Sequence, residues 1–159
     1  MNSLEKIYKK ISKPIMLGNN SYMRLLKNNK HSLDVLKFRN DPINIRFSLI
    51  RNKINLLEHK IWFKNFLNNK NFLFIIFNLK KKIGYLRLDK NKNKLVISIF
   101  IIRNFRKKNL GSICLSYIKK EFKKYKLVAY VVKQNKRSIH FFKKNKFTTS
   151  SKNTKLLIV

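Results

Sequence analysis

Short unbroken apolar runs alternate along this chain with longer stretches whose apolar residues recur every three or four positions. The clearest stripe starts at Leu110: Leu110, Ile113, Cys114, Tyr117, Ile118 and Phe122 mark one buried helical face, and Lys119, Lys120, Lys123 and Lys124 fall mostly away from it. Weaker stripes predict helices over 31–38, over 54–67 (Leu57, Ile61, Phe63, Phe66, Leu67) and over 137–144. Asp41-Pro42 ends the first, because a residue before proline avoids helical geometry. Strands are expected over 22–26, 72–77, 83–88, 95–102 and 127–132, with turns at Lys80-Lys81-Lys82 and Asn91-Lys92-Asn93. A final hairpin over 147–159 is expected to turn at Lys152-Asn153. Residues 1–20 read as an extension with a short helix over 4–11, closed by Gly18-Asn19-Asn20, which leaves one domain over 21–159.

The junction of the last meander strand with the strongest helix carries the first chemical signal. Residues 97–112 run from strand through a basic turn into a helix, so unpaired backbone N–H groups and the positive end of the helix dipole face one spot that suits a phosphate. Gly111 stands at the helix entrance, where a missing side chain permits close approach to the backbone. Neither a dinucleotide fingerprint nor a P-loop is present.

Composition narrows the classes. At 159 residues with 44% hydrophobic content the chain can bury one core, and no apolar stretch reaches membrane-spanning length. The first twenty residues lack the compact apolar centre of a secretory signal, so a cytoplasmic location is expected. Cys114 is the single cysteine and lies on the apolar helical face, which makes it an inert core thiol; the three histidines have no metal-ligand spacing, and no metal is expected.

A formal net charge of +33 ordinarily points to nucleic acid. Here lysine and asparagine pervade every segment and alanine occurs once, at Ala129, as AT-rich codons would produce. The charge therefore reads as background, with no specific nucleic-acid partner. With six acidic side chains, a pocket for a polycation is hard to build, whereas an anionic ligand is attracted from all sides.

Three motifs in this order resemble the GNAT family of N-acetyltransferases over residues 22–150. Arg106-Lys107-Lys108-Asn109-Leu110-Gly111 is similar to the family's acetyl-CoA signature Q/R-x-x-G-x-G/A, with Asn109 in place of the first glycine; asparagine tolerates the left-handed geometry such a turn needs. The segment 135–147 resembles N-x-x-S-x-x-x-Y/F-x-K-x-G-F. Phe38-Arg39-Asn40-Asp41-Pro42 and Leu57-Glu58-His59-Lys60-Ile61-Trp62-Phe63 look like the W-R-N-D-P and E-E-H-x-x-W-F patterns of the branch that acetylates an amino sugar in pseudaminic acid synthesis.

The resemblance implies a mixed α/β (α+β) fold, with a mostly antiparallel splayed sheet and helices on both faces. It implies acetyl-CoA held by Ile99, Phe100 and Ile101 of the splayed strand, by Arg103, Arg106, Lys107, Lys108, Asn109, Leu110, Gly111 and Ser112 of the turn, and by Asn135, Ser138 and Phe142. The acceptor falls to Arg39, Asn40, His59 and Trp62. Attack of a neutral amine on a thioester needs a base, a polarised carbonyl and an acid for the thiolate. Val96 and Phe142 stand where relatives carry a glutamate and a tyrosine, so Glu58 and His59, acting through water, are taken as the base and Tyr130, or water, as the acid. The expected acceptor is a UDP-linked 4-amino sugar for surface-glycan or flagellin-sugar synthesis, and a homodimer is compatible with this reading. Protein N-terminal acetylation, non-catalytic acetyl-CoA binding and nucleic-acid binding are the rivals. Singly, each residue has a structural role open to it: Asn135 and Ser138 as helix caps, Trp62 and Phe63 as core, His59 as a packing histidine, and Arg39 as a tie between a loop and a helix end.

Overall fold

The computed structural model describes residues 3–49, 51–150 and 155–158. Strands β1 (Ile15–Gly18), β2 (Ser21–Leu25), β3 (Phe72–Asn78), β4 (Lys81–Asn91) and β5 (Lys94–Ile101) form an antiparallel run. Next, β6 (Lys126–Val132) joins β5 in parallel, and β8 (Lys155–Ile158) and β7 (Thr149–Ser150) follow antiparallel, giving the order β1-β2-β3-β4-β5-β6-β8-β7. The expected turn at Lys152-Asn153 lies outside the described residues.

Helices cover both faces. Alternation along β3 sends Phe72, Phe74 and Ile76 into a core shared with α1 (Ser3–Lys10), α5 (Leu110–Glu121) and α6 (Lys136–Lys144), and Leu73, Ile75 and Phe77 into a second core under α2 (Ser32–Arg39) and α4 (Leu56–Asn68). Because β3 is buried on both faces, it reads as a continuous apolar run without a period of two. No helix among the described residues is long and apolar enough to cross a membrane.

Two elements lay unseen in the sequence pattern. The segment read as an extension supplies β1, paired with β2 through Asn19 and Asn20, whose φ values of 50° and 56° are those of a tight hairpin turn. Helix α3 (Pro42–Phe47) opens directly after α2, with Pro42 in its first turn and the Asp41 carboxylate accepting from the Ile43 N–H. Between β3 and β4 the register shifts, with Ile76 opposite Gly84 and Phe77 opposite Lys82, so Ile83 is an inserted bulge residue. At this point β4 and β5 approach so closely that a Cβ on Gly84 would lie 2.1 Å from the Phe100 carbonyl oxygen.

Candidate active site

Strands β5 and β6 pair only through Lys94, Leu95 and Val96 against Lys126, Leu127 and Val128, and then part. The Ile102 N–H donates to the Ile83 carbonyl at 2.9 Å, which fixes the alternation: the even residues of β5 aim their backbone groups at β4, and Ile97, Ile99 and Ile101 aim theirs at the opening. One of these groups is satisfied, since Arg106 Nε donates to the Ile101 carbonyl at 2.5 Å. The amides of Ile99 and Ile101 line the cleft beyond the last β5–β6 pair, ready to hold an amide or thioester carbonyl.

Past β5, a short 3-10 turn (Arg103–Phe105) leads to Arg106 in extended geometry, then to Lys107 and Asn109 in the left-handed region at φ 63° and 59°. Asn109 thus takes the conformation expected of it in place of glycine. The Asn109 carbonyl accepts from Ser112 and Ile113, while its side chain makes no cap bond, which leaves the Leu110 and Gly111 amides without a cap at the end of the basic turn of Arg103, Arg106, Lys107 and Lys108. Burial lowers the Arg106 pKa, and the nearby Arg137 and Arg103 lower it further. An anion at this turn relieves that crowding of cations. Arg137, on α6, was not singled out in the sequence because it looked like one more lysine-rich surface position.

Three expected cofactor residues have other duties. A Cβ on Gly111 would meet the Phe141 ring at 3.0 Å, so this glycine accommodates the packing of α6 against α5. Asn135 caps α6, its side chain accepting from the Ser138 N–H at 3.1 Å. Phe142 is 4% exposed, edge-on to Phe141 and Phe147 in the core, because it falls on the inner side of α6.

The acceptor-side residues lie under α2 and α4. Glu58 is exposed and closes a capping box, accepting from the Asn55 N–H while its own N–H donates to Asn55 Oδ1. His59 is fully buried: its Nε2 lies 2.8 Å from the Ser32 carbonyl and therefore donates, joining α4 to α2. Burial lowers its pKa, the Ser32 bond opposes this, and the Arg39 charge lowers it further. Both residues expected as the base therefore also carry structural bonds, Glu58 in the capping box and His59 through Nε2 to Ser32, while His59 Nδ1 is buried with no hydrogen-bond partner among the described residues. Asn40 likewise spends its amide on both the N–H and the carbonyl of Ile54, at 2.9 and 2.8 Å.

Arg39 and Trp62 do come together. The Arg39 guanidinium stacks 4.2 Å from the Trp62 ring centroid, and Arg87 of β4 lies 5.4 Å from the same ring. Arg39 Nη1 is buried with no hydrogen-bond partner among the described residues. Burial and then the Arg87 charge lower the Arg39 pKa. Asp89 pairs with Arg87 at 2.8 Å, and Ser98 Oγ sits 3.5 Å from Arg87 Nη2. Burial raises the Asp89 pKa against the opposing charges of Arg87 and Arg39. By strand alternation Val128 and Tyr130 share this face across the opening, and Tyr130 is 41% exposed. Arg87 and Asp89 escaped the sequence reading, although polar residues at every second position of an otherwise apolar strand were the available signal.

The family model of the GNAT acetyltransferases matches residues 44–147. A search of curated proteins finds no significant match. Among solved structures, the chain is similar to a domain from Methanocaldococcus jannaschii at 22% identity and a TM-score of 0.76, covering 87% of this chain and 96% of that one. It is also similar to the Salmonella typhimurium acetyltransferase that modifies the N-terminal serine of ribosomal protein L7/L12, at 13% identity and a TM-score of 0.71, covering 92% and 96%. Spermidine N-acetyltransferase from Vibrio cholerae, in complex with CoA and spermine, matches at 12% identity and a TM-score of 0.69, covering 89% and 94%.

Proposed function

Because this chain belongs to the GNAT acetyltransferase family, and is on that ground an acetyl-CoA-dependent N-acetyltransferase, we propose that its acceptor is a primary amine on an anionic body, specifically a UDP-linked 4-amino sugar. Acetyl-CoA supplies an activated acyl group as a thioester. On this reading the residues fit it: the uncapped amides of Leu110 and Gly111, with Arg103, Arg106, Lys107 and Lys108, hold the pyrophosphate. The Ile99 and Ile101 amides bind the arm and polarise the thioester carbonyl. No covalent enzyme intermediate is required, since the bound amine attacks directly.

The observation that carries the acceptor class is the buried, unpartnered Nη1 of Arg39, held on Trp62 beside a second guanidinium. A planar cation with an open donor in a partly dry site suits a phosphate or another acidic group, and each such charge-assisted bond contributes roughly 1.5–3 kcal/mol. A polyamine would have to enter against Arg39 and Arg87 with Asp89 as the sole carboxylate of the cluster. Like charges a few ångströms apart cost on the order of several kcal/mol at an intermediate dielectric.

The test is acetyl-CoA consumption with a UDP-linked 4-amino sugar, a free amino sugar, spermidine and a peptide with an N-terminal serine. The proposal expects the highest kcat/KM for the UDP-linked amine. A higher value for spermidine or for the peptide overturns the acceptor assignment.

A further inference from the structure

We propose that Asp89 is the proton acceptor that converts the bound acceptor from ammonium to reactive amine. The inference deepens the acetyltransferase reading and depends on the acceptor being an amine, whichever amine that is.

Asp89 stands at the apex of the opening. It pairs across β4–β5 with Val96, and Val96 pairs across β5–β6 with Val128, the last such pair before the strands part. Directly opposed residues project from the same face, so the Asp89 side chain rises from the sheet surface that carries Arg87, Ser98 and Tyr130, next to where the amides of Ile97 and Ile99 begin to face the cleft.

The chain has six acidic side chains, and the other five are held in ion pairs or helix caps away from Arg39 and Arg87. Glu5 pairs with Lys70 and Glu121 with Lys10. Asp34 pairs with Lys82 and His31. Asp41 caps α3, and Glu58 closes the capping box of α4. His59 is sealed against Ser32, and His140 sits on α6, on the opposite side of the sheet. Among the described strands, Asp89 is the carboxylate that rises from the sheet beneath Arg39 and Trp62, with 29% of its side chain exposed.

Its surroundings suit the task. Burial raises the Asp89 pKa above the ordinary value, against the charges of Arg87 and Arg39, and a raised pKa strengthens the base. The other titratable groups on the packed elements are His59 of α4, Tyr85 of β4, Tyr130 of β6 and, exposed on the same face, Lys94 and Lys126.

The step balances as follows. The ammonium gives one proton to the Asp89 carboxylate, the freed lone pair attacks the thioester carbonyl, the C–N bond forms and the C–S bond breaks. The thiolate takes up the second amine proton to become the thiol of CoA, and Asp89 returns its proton to solvent. The products are the amide, CoA and one proton.

The experiment compares wild type, Asp89→Asn and Asp89→Glu between pH 6 and 10. The acceptor is whichever of the UDP-linked 4-amino sugar, spermidine and the N-terminal-serine peptide wild type turns over fastest, so a failed sugar assignment changes the substrate and leaves this test standing. At pH 7 Asp89→Asn is expected to lose about 10²-fold or more in kcat/KM. The loss shrinks as pH rises, because the variant must capture amine already neutral in solution and its kcat/KM climbs about tenfold per pH unit up to the amine pKa. Asp89→Glu restores part of the rate, and CoA affinity by calorimetry is unchanged in both variants. A loss that is constant across pH, a loss below threefold, or a collapse of CoA affinity in folded Asp89→Asn overturns the assignment.

Discussion

Replacing Gly84 by alanine places a methyl carbon 2.1 Å from the Phe100 carbonyl oxygen and 3.0 Å from both Phe100 C and Ile101 Cα. All three neighbours are backbone, so no rotamer change relieves the clash. Non-bonded carbons settle at roughly 3.5 Å or more, which means β4 and β5 must separate by about 1 Å at this point. Overpacking against yielding side chains costs about 1–3 kcal/mol; against a strand in the middle of the sheet the upper end, about 3 kcal/mol, applies. For a domain of this size that corresponds to a Tm lowered by about 6–12 °C. The displaced residue, Phe100, lies between Ile99 and Ile101, so acetyl-CoA affinity falls along with stability. Circular dichroism melts and calorimetric titration with acetyl-CoA measure the two effects. Gly18→Ala is the control: its φ of +78° costs about 1–2 kcal/mol by handedness alone, nothing lies within 4 Å of the added carbon, and acetyl-CoA binding stays at the wild-type level. A Gly84→Ala protein melting within about 2 °C of wild type would refute the close-approach argument.

Other outcomes follow from the same geometry. Arg39→Ala is expected to raise KM for a UDP-linked amine about 10–100-fold, through loss of a charge-assisted bond, with a smaller change in kcat, as steady-state kinetics would show. Lys146 holds φ +60°, and Lys146→Gly is expected to raise stability by about 1 kcal/mol in thermal melts, with a lowered Tm as the contrary result. The folded-state pKa of His59 is held below its ordinary 6.5, so below about pH 6.5 the unfolded chain takes up a proton that the folded chain refuses, and stability drops on acidification. His59→Gln is less stable at pH 7.5 but loses that part of the slope between pH 7 and 5; a slope equal to wild type would remove His59 from the account.

How far the sequence reveals this protein varies from element to element. Helix α5 was plain because six apolar residues repeat on one face over more than three turns. The left-handed Asn109 was legible because only a few residue types favour that geometry. Helix α3 was not, since six residues are too few to display a period. The structural duty of Glu58 was legible too, since Asn55-x-x-Glu58 spells a capping box. Phe142 matched a motif, but a motif position does not say which side of a helix is inward, and only packing against Phe147 and Phe141 decides that. Arg87 and Asp89 become meaningful only once Arg39 and Trp62, distant in sequence, close over them.

On the reading proposed above, the opening between β5 and β6, with the basic turn beyond it, holds acetyl-CoA. Amide chemical shifts of the isotope-labelled protein titrated with acetyl-CoA test it most directly. The signals of Ile99 and Ile101 and those of the turn from Lys107 to Ser112 are expected to move together and saturate at one affinity, while Phe74 and Ile75 of β3 hold still. Saturable binding that leaves Ile99, Ile101 and the turn unmoved would contradict it.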